Sequence, residues 1–78
     1  MPRVFVWKGW EFLFYSLDGS EPPHIHARSG RKELKIWLDS LKVARNSRCR
    51  PHEVGELLAV VSERRREFLE RWHEHFGN

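Results

Sequence analysis

Cysteine is almost missing from this chain: among its 78 residues only Cys49 carries a thiol. An intrachain disulfide and a zinc site built on several thiolates are both excluded. A lone cysteine also suits a reducing compartment. Long apolar runs are missing too, since no stretch approaches the roughly 20 residues of a membrane-spanning helix. Met1-Pro2-Arg3-Val4 lacks the basic, apolar, then small-residue order of a secretory leader, so a cytoplasmic location is expected. There is no internal repeat, no linker and no low-complexity segment. What is present, 40% hydrophobic and 13% aromatic residues, excludes a disordered tail. One domain over residues 1–78 is expected. A chain this short buries only about 60% of its unfolded surface. Domains of this size lean on a metal or a partner subunit, either another protein or a second copy of the same chain.

Acidic surplus is lacking as well. The net charge is +3, and its distribution is uneven. Residues 1–27 hold two basic and three acidic side chains, and residues 51–78 hold four Arg and six Glu. Residues 28–50 hold eight basic residues against Glu33 and Asp39, a net of +6. Charge concentrated in this way draws phosphate or an acidic partner, or forms a solvated loop.

Two periodicities divide the chain. Residues 3–45 alternate with period 2 and predict strands at Val4–Trp7, Trp10–Tyr15, His24–Arg28 and Lys32–Asp39, with an edge strand through Val43-Ala44 as a fifth. Lys8-Gly9 and Ser29-Gly30 read as hairpin turns, and Pro22-Pro23 keeps the chain extended before His24. Short connections between consecutive strands predict an antiparallel meander. Residues 51–76 repeat with helical spacing: Val54, Leu57, Leu58, Val61, Phe68, Leu69, Trp72 and Phe76 fall in a stripe about 120° wide. Pro51 suits the first helical position and Gly77 the C-cap. The expected fold is therefore α+β, with a meander of four or five strands and one long C-terminal amphipathic helix on one face.

His24 and His26, two apart on a strand, leave the same face, and Arg28 follows them. If Leu34, Ile36 and Leu38 are buried, their alternates Lys35, Trp37 and Asp39 share an open face with the histidines. Imidazoles transfer protons near neutral pH, and a neighbouring cation can stabilise a developing phosphorane-like charge. Metal-independent RNA cleavage needs that combination. The same pair can instead supply two metal ligands, with Asp39 or Glu21 as a third, or can simply be packing residues. His73 and His75 lie about 200° apart on the helix and suit the dipole of its last turn. His52 reads as a solvated residue at the helix start. Arg65 projects into the apolar stripe, so it must snorkel outward or pair with a carboxylate such as Asp39 or Glu21. Trp72 belongs to the core. Trp7 and Trp10 flank a turn, and with Trp37 they are candidates for a protein interface or a base-stacking platform.

Several blocks together resemble one family. They are an N-terminal Met-Pro, Phe12-Leu13-Phe14-Tyr15, Asp18-Gly19, Glu21-Pro22-Pro23-His24-Ile25-His26, Lys35-Ile36-Trp37-Leu38-Asp39, and a helix with Arg65, Leu69 and Trp72 before Phe76-Gly77. The chain is similar over nearly its whole length to domain-of-unknown-function family 4160. These are small bacterial proteins often encoded beside a protein of family 2442, and such pairs are regarded as type II toxin–antitoxin modules. The resemblance implies a toxin in a bacterial cytoplasm, neutralised by a small cognate protein of the family 2442 type. It carries no catalytic mechanism and no cofactor, and its pattern points to Pro23, His24, His26, Asp39, Arg65 and Trp72. The segment from Lys42 to Arg50 is more basic than the family leads one to expect.

Three functions follow as expectations. In the first, a toxin acts on RNA: His24 and His26 are acid and base, Arg28 or Arg65 stabilises charge, and Lys32, Lys35, Arg45, Arg48 and Arg50 hold phosphates. Its partner docks on Trp7, Trp10 and Trp37. The second is a non-enzymatic protein- or nucleic-acid-binding module. The third is a small metal-dependent hydrolase built on His24 and His26.

Overall fold

A computed structural model describes residues 3–77, so the Met1-Pro2 start of the family resemblance lies outside the described residues. Five strands follow in order: β1 (Arg3–Trp7), β2 (Trp10–Leu13), β3 (His24–Ser29), β4 (Lys32–Trp37) and β5 (Val43–Ser47). They form one antiparallel sheet in sequence order, and helix α1 (Pro51–Phe76) completes the α+β fold. The expected fifth strand is therefore real, and longer than the Val43-Ala44 return.

Lys8 (φ 47°) and Gly9 (φ 83°) both adopt the left-handed conformation that a two-residue hairpin turn demands, which glycine accepts without a steric penalty. Strand alternation puts Phe12, Ile25, Ala27, Leu34 and Ile36 on one face, all fully buried. The helix covers this face with Leu57, Val61, Phe68 and Trp72. Phe12 stacks on Phe68 with ring centroids 5.7 Å apart, and Phe14 meets Trp72 edge-on at 5.3 Å.

The helix begins where the Glu53 carboxylate accepts the Arg50 N–H at 2.8 Å. It ends at Gly77 (φ 75°), whose N–H bonds to the His73 carbonyl. Its regularity breaks at Arg64 (φ −110°, ψ 15°), where the apolar stripe is also interrupted between Val61 and Phe68. There the Arg64 guanidinium lies 3.8 Å from the centre of the Phe5 ring.

Two predicted strands are shorter than expected. β2 stops at Leu13 because the Tyr15 N–H is donated to the Asp18 carboxylate, at 2.8 Å, and so leaves the ladder. The chain then makes a single 3₁₀ turn, Asp18–Ser20. β4 stops at Trp37, where the Leu41 N–H closes a turn onto the Trp37 carbonyl and leaves Asp39 exposed.

Candidate functional site: a buried Asp–His–His cluster

His24 and His26 do share a face, as the spacing requires, but that face is not open. The segment from Tyr15 to Pro23 folds back over it. His24 is 0% exposed, His26 3% and Asp18 8%. The expected open sheet face is corrected here: residues between β2 and β3 roof it, which strand alternation alone does not reveal. The Tyr15 ring packs edge-on against His26 at 4.4 Å. Trp37 on one side and Trp72 on the other close around His24, at 5.5 and 5.1 Å. Lys35 pairs with His26 in the β3–β4 register and Trp37 with His24, as the alternation implies.

The polar contacts converge on one carboxylate. Asp18 Oδ2 lies 3.0 Å from His26 Nε2, and Asp18 Oδ1 lies 3.2 Å from His24 Nε2. The first contact has hydrogen-bond geometry. The second is close but misdirected, so the buried His24 Nε2 has no hydrogen-bond partner among the described residues. The outer ring nitrogens are also engaged: His24 Nδ1 donates to the Pro22 carbonyl at 2.9 Å, and His26 Nδ1 faces Glu33 Oε2 at 3.2 Å. Tyr15 donates its hydroxyl to the other Glu33 oxygen at 2.9 Å. Ligand atoms of Asp18, His24 and His26 all lie within 4.8 Å of one another.

Burial holds the His26 imidazole below its ordinary pKa, against the opposite pull of Asp18 and Glu33. Burial pushes the Asp18 carboxyl upward, but the Tyr15 N–H bond and the adjoining imidazoles outweigh it and keep the group below the usual carboxylate value.

The carboxylates expected beside the histidine pair are elsewhere. Asp39 bonds its neighbour's N–H at Ser40, and Glu21 pairs with Lys35 at 2.6 Å. Asp18, singled out in the sequence only within the Asp18-Gly19 block of the family resemblance, takes their place. The signal that identifies it is an acidic residue on the short connection that must bring β2 back beside His24.

Arg28 stands at the margin of the cluster, 3.5 Å from both the Tyr15 hydroxyl and Glu11. Arg65 does not pair with a carboxylate. Its guanidinium donates to the backbone carbonyls of Leu38 and Asp39, the latter at 3.0 Å, and so ties the helix to the end of β4. Of the phosphate-binding candidates, Lys32 meets Glu53, Lys35 meets Glu21, and Arg45 lies 3.6 Å from Glu33. Arg48 and Arg50 are exposed and make no ion pair among the described residues. Among the tryptophans, Trp10 is buried in the core and offers no free docking surface, whereas Trp7 and Trp37 are half-buried. Burial pushes the Cys49 thiol up, away from a reactive thiolate.

His24 and His26 line none of several surface hollows among the described residues, although one of these reaches Glu33, the neighbour of His26. One is lined by Arg31, Glu33, Arg45, Asn46 and Ser47 beside the exposed edge strand β5. No helix among the described residues is long and apolar enough to cross a membrane.

No curated protein and no solved structure matches this chain. Residues 9–73 match the pattern of a domain of unknown function, and the chain belongs to that family, number 4160.

Proposed function

We propose that this chain is the toxin of a two-protein bacterial module, that it acts by holding RNA rather than by cleaving it at the histidines, and that a small cognate protein neutralises it. The observation that carries the RNA part is the hollow beside the edge strand, where Arg31 and Arg45 meet Asn46 and Ser47 and outnumber its one carboxylate, Glu33. Arg48 and Arg50 continue this basic surface toward the helix. Guanidinium groups pair well with phosphate, and their attraction requires no base sequence. An edge strand with unpaired backbone groups is also a natural place for a partner to add a strand and cover the same surface. The toxin and partner assignments rest on the family resemblance. Burial of His24 and His26 argues against a polymer substrate reaching them.

The test is induction of the chain in a bacterial host beside an Arg31→Ser/Arg45→Ser/Arg48→Ser/Arg50→Ser variant, at equal soluble levels. Wild type should arrest growth and bind RNA with strong salt dependence, and the variant should lose most of both. Loss of about four phosphate contacts should lower the salt slope by roughly 3. Absence of arrest by wild type, or undiminished arrest by the folded variant, would overturn the proposal.

A further inference from the structure

We infer that Asp18, His24 and His26 form a binding site for a divalent transition-metal ion of the zinc type, with His24 Nε2 and His26 Nε2 as nitrogen ligands and the Asp18 carboxylate as the oxygen ligand.

The Pro22 carbonyl can only accept, so the His24 proton belongs on Nδ1, facing it at 2.9 Å. With Nδ1 engaged by that carbonyl, the second ring nitrogen, Nε2, lies 3.2 Å from Asp18 Oδ1 and stands where a ligand atom would be needed. Fully buried, His24 Nε2 has no hydrogen-bond partner among the described residues. His26 repeats the pattern between two carboxylates, Glu33 at Nδ1 and Asp18 at Nε2. A neutral ring can donate to only one of them. Two imidazole nitrogens and a carboxylate converge on one point, and a metal ion would satisfy all three together.

The dimensions suit such an ion. Zinc–nitrogen bonds of about 2.0–2.1 Å place tetrahedral ligands roughly 3.3 Å apart. The two observed nitrogen–oxygen separations are 3.2 and 3.0 Å. The surroundings suit it as well. Metal-ligating histidines usually donate the other ring N–H to a carbonyl or carboxylate, the roles that Pro22 and Glu33 fill here. Two imidazoles and one carboxylate, without thiolate, select zinc and its neighbours over magnesium or calcium. Three protein ligands leave a coordination position for water or an outside group.

Untagged full chain, stripped with chelator, is titrated with Zn²⁺ by calorimetry and followed by thermal melting. One equivalent should bind, and at a hundredfold excess over Kd the melting temperature should rise by more than about 10 °C. Asp18→Asn and His24→Gln should each weaken binding at least tenfold, and Glu33→Gln by about tenfold through the orientation of His26. His73→Ala/His75→Ala, on the exposed end of the helix, should bind as wild type does. Imidazole nitrogen NMR of the wild type gives a readout independent of the variants' folding: Nε2 of both His24 and His26 should move to metal-bound positions when Zn²⁺ is added. No saturable binding by wild type, unchanged Nε2 signals, or wild-type affinity in folded Asp18→Asn and His24→Gln would each overturn the site.

Discussion

The two faces of the sheet bury their residues by opposite means. Under the helix, Phe12, Ile25, Leu34, Ile36 and Phe68 form an apolar cluster, and Trp72 links it to His24. Under the Tyr15–Pro23 segment, a similar depth of burial encloses Asp18, His24 and His26, with Glu33 at the margin. The first arrangement draws its stability from apolar area removed from water. The second must offset the desolvation of a carboxylate and two imidazoles, and buried ionic groups often contribute less than apolar residues of similar volume would. A small domain with little stability to spare retains such a cluster at a cost, which is the expected mark of a site rather than of a core.

The sharpest way to test this contrast is to damage the apolar face. Phe68→Ala removes a ring stacked on Phe12 and in contact with Phe5, and should destabilise by about 3–5 kcal/mol. For 78 residues that is a large share of the total, so urea unfolding should show a chain mostly unfolded near 37 °C. A loss below about 1 kcal/mol would mean that the helix is not what holds the sheet.

The polar face should respond in another way. His26→Leu leaves Asp18 and Glu33 without their shared partner and should cost about 1–3 kcal/mol. Adding Asp18→Ala to it should cost much less than the two single changes summed, because the stranded charge is removed along with its partner. A double-mutant cycle by urea unfolding should return a coupling of at least about 1 kcal/mol. Strict additivity would show that the cluster is not one unit.

Gly19 joins the two regions. A Cβ built there would stand 2.6 Å from Cδ1 of Phe76, so the 3₁₀ turn beside Asp18 and the end of the helix fit only without a side chain. Gly19→Ala should cost about 1–2 kcal/mol, less than Phe68→Ala, since Phe76 is half-buried near the helix end and can yield. Amide hydrogen exchange should quicken across residues 15–23 more than across β4 if the roof depends on this contact.

Much of this contrast was legible in the sequence, and the missing part has a physical reason. Alternation is a local rule, so it assigned Ile25, Ala27, Leu34 and Ile36 to one face and His24, His26, Lys35 and Trp37 to the other, as observed. Helical spacing likewise marked Leu57, Val61, Phe68 and Trp72. No periodicity governs an irregular connection. Its path is set by tertiary hydrogen bonds, here from the Tyr15 N–H and from His26 Nε2 to the Asp18 carboxylate. For that reason the sequence left the histidines on an open surface and passed over Asp18. The same limit applies to Trp10: alternation can place it on a face but cannot say how far the helix extends to cover it.

Arg65 gives the smallest effect and the clearest choice between two roles. The apolar stripe places it beside the sheet, where a catalytic charge stabiliser and a structural tether look alike in sequence. Its two hydrogen bonds run to the carbonyls of Leu38 and Asp39, groups freed when β4 ends. Charge-assisted bonds of this kind contribute about 1.5–3 kcal/mol when buried, and Arg65 is exposed, so Arg65→Ala should cost only about 1 kcal/mol. Arg65→Lys keeps the charge but lacks the planar fork that reaches both carbonyls, and should recover about half of that loss. A catalytic role predicts the reverse pattern: stability unchanged in both variants and growth arrest lost. Urea midpoints measured beside the induction assay separate the two, because a tether lowers the midpoint and leaves arrest intact wherever the chain remains folded.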